Sequence, residues 1–161
     1  MELKDSGTRR KFESGAVRDV AEGKGRCDLL PLSQVAVILD NDTVIALISE
    51  FCKSGNIRAI YQAVRAFVKT NYPGPYTAIL ELAKHYEDGS RKYGDRNWER
   101  GIPCHCYVDS GIRHYLKFRR GDDDEPHDRA FIWNMLGLIW TLENHPECND
   151  LPFNTESTQN L

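Results

Sequence analysis

Between Asp122 and Asp128 the chain sets five carboxylates and one imidazole in seven residues, Asp-Asp-Asp-Glu-Pro-His-Asp, a density of like charge that calls for a counter-cation. Hard oxygen donors suit a divalent metal ion. Glu125 and Asp128 stand three apart, the spacing of neighbours on one helix face, so Asp124, Glu125 and Asp128 are expected metal ligands. Acids at a helix start are also favoured by its dipole, and capping accounts for part of the cluster. Upstream, Glu81, His85 and Asp88 stand at i, i+4 and i+7 and could face one point. Glu81 and His85 are therefore expected to complete the ligand set from a second helix.

The run Lys92-Tyr-Gly-Asp-Arg-Asn-Trp98 carries a different chemistry. Tyr93 and Trp98 offer flat faces on which a base can stack, and the Asn97 amide offers the paired donor and acceptor that read a purine edge. The same residues could instead plug a core and cap a turn. Nearer the amino terminus, Gly23-Lys-Gly-Arg-Cys-Asp28 sets Lys24 and Arg26 beside glycines, where cations and backbone amides can approach phosphate, although the run lacks P-loop spacing. Cys104-His105-Cys106 supplies one metal-binding knuckle where structural zinc needs two, which argues against zinc.

These groups need a scaffold, and the apolar periodicity supplies helices. Apolar residues recur at three and four over 31–38, 43–52, 57–70, 76–88, 107–118 and 130–142. Turn residues interrupt them at Asn41-Asp42, Ser54-Gly55-Asn56, Asn71-Tyr-Pro-Gly-Pro75 and Arg119-Arg120-Gly121. Gly89 reads as the stop of the fourth helix. Ile38, Leu39, Ile60, Tyr61, Phe67, Ile79 and Leu82 are among the expected core residues. Asn134, the single amide in the apolar run 131–140, lies on the face that begins with His127 and must find a partner in a His, a ligand or another helix. No stretch alternates as a strand, so the class is all-α: an extended amino-terminal arm over 1–34, a helical domain over 35–146 and a flexible tail over 147–161.

The formal charge of -3 and pI near 6.0 argue against a general nucleic-acid binder. Five cysteines without a framework spacing read as reduced thiols in a cytoplasmic protein. No apolar run approaches the roughly 18 residues of a membrane span.

Taken together, Gly89–Pro103 (GSRKYGDRNWERGIP), Asp109–Glu125 (DSGIRHYLKFRRGDDDE), His127, the Trp133-Asn134 pair and Ser14–Pro31 (SGAVRDVAEGKGRCDLLP) resemble the phage dATP/dGTP diphosphohydrolase family. Those proteins are relatives of the all-α, MazG-like nucleoside triphosphate pyrophosphohydrolases. The resemblance implies a MazG-like helical bundle in the host cytoplasm that splits dGTP and dATP into monophosphate and pyrophosphate. It also implies Mg²⁺, or Mn²⁺ or Co²⁺, as cofactor, and a role in shaping the nucleotide pool for 2-aminoadenine-containing DNA. Of the wider group's E-x-x-E and E-x-x-D pairs, Glu125-x-x-Asp128 matches the second, and Glu81 lacks the partner that would match the first. On this reading Lys92, Arg113 and His114 serve the chemistry and Lys24 and Arg26 the phosphates. Tyr93, Asn97, Trp98 and Asn134 serve the rest of the substrate. By the same analogy the protein is a homo-oligomer, dimer or tetramer, with no nucleic-acid partner. Two other readings are an HD-type triphosphohydrolase, suggested by His127-Asp128 with His85 and His114, and a non-enzymatic purine-nucleotide-binding phage protein.

Overall fold

The breakers in the sequence set most of the helix ends. The computed structural model describes residues 3–154, and its helices are α1 (Leu32–Ile38), α2 (Thr43–Ser54), α3 (Ile57–Asn71), α4 (Pro75–Tyr93), α5 (Cys104–Arg120) and α6 (His127–Asn144). Asp42 caps α2 by accepting the Ile45 N–H at 2.9 Å, and Asn56 caps α3. Gly55 and Gly121, at φ of 74° and 92°, end α2 and α5 in the left-handed region.

Two boundaries differ from expectation. Helix α4 passes through Gly89 and stops at Gly94. A mid-helix glycine costs only about 1 kcal/mol, and the flanking turns are tied down: Arg129 bonds Asp88 at 2.9 Å, and Arg9 lies over the Tyr93 ring at 4.9 Å. Helix α5 begins at Cys104, because Asp150 from the tail accepts the His105 N–H at 2.9 Å and caps it from a distance. The tail expected to be flexible from residue 147 is thus packed as far as Asn154: Leu151 is buried and Phe153 meets Phe51 edge-on at 5.5 Å. The rest of that expectation, 155–161, lies outside the described residues.

The arm also differs. It forms a two-stranded antiparallel hairpin, β1 (Arg9–Lys11) and β2 (Val17–Asp19), in which Arg10 pairs with Arg18. Strands of three residues are too short to show alternation. Ala16 is fully buried, and the Ser14 hydroxyl donates to the Gly101 carbonyl, which holds the hairpin against the bundle.

Helices α5 and α6 form the central pair. Their backbones approach where Gly137 admits the Tyr107 ring, since a Cβ there would lie 2.5 Å from Tyr107 Cε1. Phe67 centres an aromatic cluster with Phe131 at 4.8 Å and Phe118 at 5.2 Å. Ile38 and Ile79, expected in the core, are 82% and 56% exposed, and Leu39 and Tyr61 are exposed as well. All five cysteines are free thiols, and the Cys104-His105-Cys106 run makes no ligand group among the described residues.

Candidate active site

The hairpin, α4, the turn after it, α5 and α6 enclose a cavity of about 830 Å³. Ten of the expected site residues line it: Lys24, His85, Lys92, Tyr93, Asn97, Trp98, Arg113, His114, Glu125 and Asn134. Glu81, Asp124, Asp128 and Arg26 do not.

Helices α5 and α6 bring His114 and His127 together at one end, with Nδ1 atoms 2.9 Å apart. Glu125 joins them, and ligand atoms of His114, Glu125 and His127 lie within 4.8 Å of one another. On its other side His127 pairs through Nε2 with Asp124 Oδ1 at 2.7 Å. A carboxylate that accepts the Nε2 proton fixes the tautomer and leaves Nδ1 bare, the usual carboxylate–histidine support of a metal ligand. The Nδ1–Nδ1 spacing is that of a hydrogen bond. It is also near the edge, about 3 Å, between two adjacent ligands with metal–nitrogen bonds of about 2.1 Å. Two imidazoles and a carboxylate fit a divalent metal ion, and the adjoining group of Asp122, Asp124 and His127, whose ligand atoms also lie within 4.8 Å of one another, keeps the expected Asp124 ligand within reach of one. Burial, with His127 beside it, holds the His114 pKa well below its ordinary value, so this imidazole is neutral and able to ligate.

The rest of the expected ligand set is elsewhere. The i, i+3 argument for Glu125 and Asp128 fails because Glu125 precedes α6 and Pro126 is not helical. Asp128 turns away and accepts the Tyr72 hydroxyl at 2.7 Å. On α4, Asp88 and Glu81 do gather round a cation, but it is the Arg129 guanidinium, at 2.9 and 3.9 Å, and Lys84 adds a bond to Glu81 at 2.6 Å.

Several cations face the cavity. Ser110, His114 and Lys117 line it from successive turns of α5, while Lys24 reaches it from the arm and Lys92 from α4. Burial lowers the Lys92 pKa, and its Nζ donates to the Lys4 carbonyl. The first described residues cross the acidic end: the Lys4 N–H donates to Glu125 at 3.0 Å and its Nζ pairs with Asp124 at 2.5 Å. Arg113, which lines the cavity, donates through Nη2 to Asp109 and to the Gly25 carbonyl, each at 2.6 Å. Asp109 in turn accepts the Cys27 N–H, so the Asp109–Arg113 pair shapes the glycine-rich loop. Arg26 is drawn out of the cavity by Asp28 at 2.7 Å.

The aromatic wall is made by Tyr86, Tyr93, Trp98 and Trp133. Asn97 is buried, and both ends of its amide are engaged by Val17, Oδ1 with N–H and Nδ2 with C=O, each at 2.8 Å. It splices the hairpin to the turn. Trp98 is wedged edge-on between Tyr86 at 5.8 Å and Trp140 at 4.8 Å. Asn134 donates to the Ala130 carbonyl and accepts Arg18 Nη2 at 3.2 Å. Arg18 also lies beside the Tyr107 and Trp133 rings, at 5.6 and 5.4 Å. Arg18, His127 and Trp133 are the site residues that ligand spacing missed. Arg18 was legible only within the 14–31 run that carries the resemblance, and His127 as the imidazole of the acid run and of the His127-Asp128 pair.

The cavity thus joins an acid–histidine end to lysines and an aromatic wall, the features of a binding site. Residues 61–151, more than half of the chain, match the family model described as dATP/dGTP diphosphohydrolase, N-terminal, and the chain belongs to that family. It is accordingly an enzyme of the dATP/dGTP diphosphohydrolase class. No curated protein and no solved structure matches it. No helix among the described residues is long and apolar enough to cross a membrane.

Proposed function

We propose that this protein hydrolyses dGTP and dATP to the deoxynucleoside monophosphate and pyrophosphate, with a divalent metal ion held by His114, Glu125 and His127. The observation that carries the reading is the convergence of those three residues, with His114 and Glu125 lining a cavity that several lysines, arginines and aromatic side chains also line and His127 buried behind them. The ion would polarise the α-phosphate and acidify a water. The bond that forms joins water oxygen to the α-phosphorus, and the bond that breaks joins it to the bridging oxygen, which leaves with pyrophosphate. Lys92, Lys24 and Lys117 line the same cavity and would offset charge on the leaving group. Asp124 would keep the Nε2 proton on His127 and so keep its Nδ1 free. Imidazole donors favour Mn²⁺ or Co²⁺ over Mg²⁺, which prefers oxygen.

The MazG-like relationship, the cytoplasmic setting and the supply of dGMP for 2-aminoadenine-containing phage DNA rest on the sequence resemblance. The exposed Tyr76, Ile79 and Leu80 on α4 form an apolar face that a second copy of the chain would cover, and a monomer in sedimentation would refute that. The deciding experiment is incubation with a panel of nucleoside triphosphates, with and without Mn²⁺, Co²⁺ or Mg²⁺, followed by chromatography. Pyrophosphate with dGMP or dAMP supports the reading; tripolyphosphate would replace it with the HD-type reaction; binding without turnover would leave a nucleotide-binding protein.

A further inference from the structure

Three residues that line the cavity each hold a side-chain nitrogen shut off from solvent with no hydrogen-bond partner, at Arg10 Nε, Arg18 Nη1 and His85 Nδ1, and the last two stand together at one indole. Leaving such groups unpaired costs their desolvation with no bond in return, which points to a ligand that pairs them. The indole is that of Trp133, with the His85 ring centre 5.9 Å from its own and Arg18 at 5.4 Å. His85 is only 6% exposed. Among the described residues no carboxylate pairs with Arg18. Its one side-chain bond is to Asn134, seven residues along α6 from His127. That is two helical turns of α6, about 10 Å of rise, from His127. If the α-phosphate is handled by His114, Glu125 and His127, Arg18 and His85 are left to meet another part of the substrate in the same cavity.

The chemistry of the two purines narrows their roles. Adenine and guanine share the N7 acceptor, whereas the neighbouring 6-substituent is a donor in adenine and an acceptor in guanine. Arginine can only donate. A neutral imidazole can present either N–H or a bare nitrogen, according to tautomer. Burial, reinforced by Arg129 and Arg18, pushes the His85 pKa down to about 3, so the ring is neutral at physiological pH.

Resting on the proposed function, we propose that Arg18 and His85 read the N7 edge of the purine, Arg18 donating to N7 and His85 matching the 6-substituent of either base by its choice of tautomer. Neither residue lies in the acidic run or the 92–98 run, and Arg18 precedes the span matched by the family model. The arrangement explains how one pocket accepts both deoxypurines and excludes pyrimidines.

The test is kcat/KM for dGTP, dATP, their 7-deaza analogues and the triphosphate of the 6-unsubstituted purine deoxyriboside. With wild-type enzyme the 7-deaza substrates should fall by on the order of 10- to 100-fold, the value of a well-made contact to a purine edge. This comparison needs no variant, so misfolding cannot mimic it. Arg18→Gln should lose the distinction between dGTP and 7-deaza-dGTP. His85→Phe should keep that distinction and lose the one between 6-substituted and 6-unsubstituted purines. Equal wild-type kcat/KM for dGTP and 7-deaza-dGTP would overturn the assignment. So would an Arg18→Gln loss of equal size on dGTP, 7-deaza-dGTP and dCTP, which would put Arg18 on the phosphates. Hydrolysis of none of these triphosphates would overturn the proposed function, and this assignment with it.

Discussion

Replacing Asn97 by alanine separates two roles that its position allows. If its amide reads a base, the variant should change selectivity at unchanged stability. The structure instead engages both ends of the amide with Val17, at 2.8 Å each, and buries the residue. Each such bond contributes about 0.5–1.5 kcal/mol net, so Asn97→Ala should lose about 2 kcal/mol. For a chain of this size each kcal/mol moves Tm by about 2–4 °C, giving a fall of about 4–8 °C. Val17 adjoins Arg18, so loosening the hairpin also unsettles Arg18, and kcat/KM should fall by similar factors for dATP and dGTP. Asn97→Asp should be no rescue, because it keeps an acceptor for the Val17 N–H but sets a carboxylate oxygen against the Val17 carbonyl. Differential scanning fluorimetry beside steady-state kinetics on both substrates decides the matter. An unchanged Tm with a shifted dGTP-to-dATP ratio would refute the reasoning.

Two further outcomes follow from the site and the tail. Mn²⁺ at about a hundred times its Kd should stabilise the wild type by about 2.7 kcal/mol, and His114→Ala or His127→Ala should abolish this while Asp128→Asn keeps it; a Tm gain that survives both histidine changes would remove the ligand assignment. The His105 pKa is pushed up to about 10, first by its bond to Asp150 and then by Cys106, while that bond keeps Asp150 low. A raised histidine contributes stability that is complete below its unfolded value near 6.5 and is lost as pH rises through about 10. Because the pair is more than a third exposed in part, the loss should be at most about 1 kcal/mol. Thermal unfolding between pH 6.5 and 10 should show it in the wild type and not in Asp150→Asn.

Helix existence was legible from apolar spacing because a core-facing stripe is a local property. The site was legible only in part. The i, i+4, i+7 stripe of Glu81, His85 and Asp88 is real, yet what it faces depends on Arg129 from another helix, and no local pattern reports that ion pair. Asn97 was chosen for the chemistry its amide offers, and the hairpin it completes lies eighty residues away in the chain. Glu125 and His127 were separable from Asp128 only once the turn at Pro126 was seen to break the helical phase. Ile79 and Ile38 repeat at core spacing but lie on exposed faces.

The way these segments are tied together bears on how the site is divided. The span matched by the family model holds His114, Glu125, His127, Trp133 and Asn134, whereas the hairpin with Arg18 and the loop with Lys24 precede it. Polar contacts join the two parts: Asn97 to Val17, Asn134 to Arg18, Arg113 to Gly25, and Glu125 to the Lys4 N–H. The first three orient the arm and leave the acid–histidine group free. The fourth does not, since the Lys4 N–H occupies Glu125 Oε1 while the Lys4 ammonium pairs with Asp124 Oδ2, and a cation entering there competes with that N–H for Glu125 and is repelled by the neighbouring ammonium. Ion entry and the seating of the first residues are therefore linked by charge, whereas Arg18 is held independently by Asn134 and the rings of Tyr107 and Trp133. The arm thus makes two separable contributions, a fixed one at Arg18 and a displaceable one at Glu125 and Asp124.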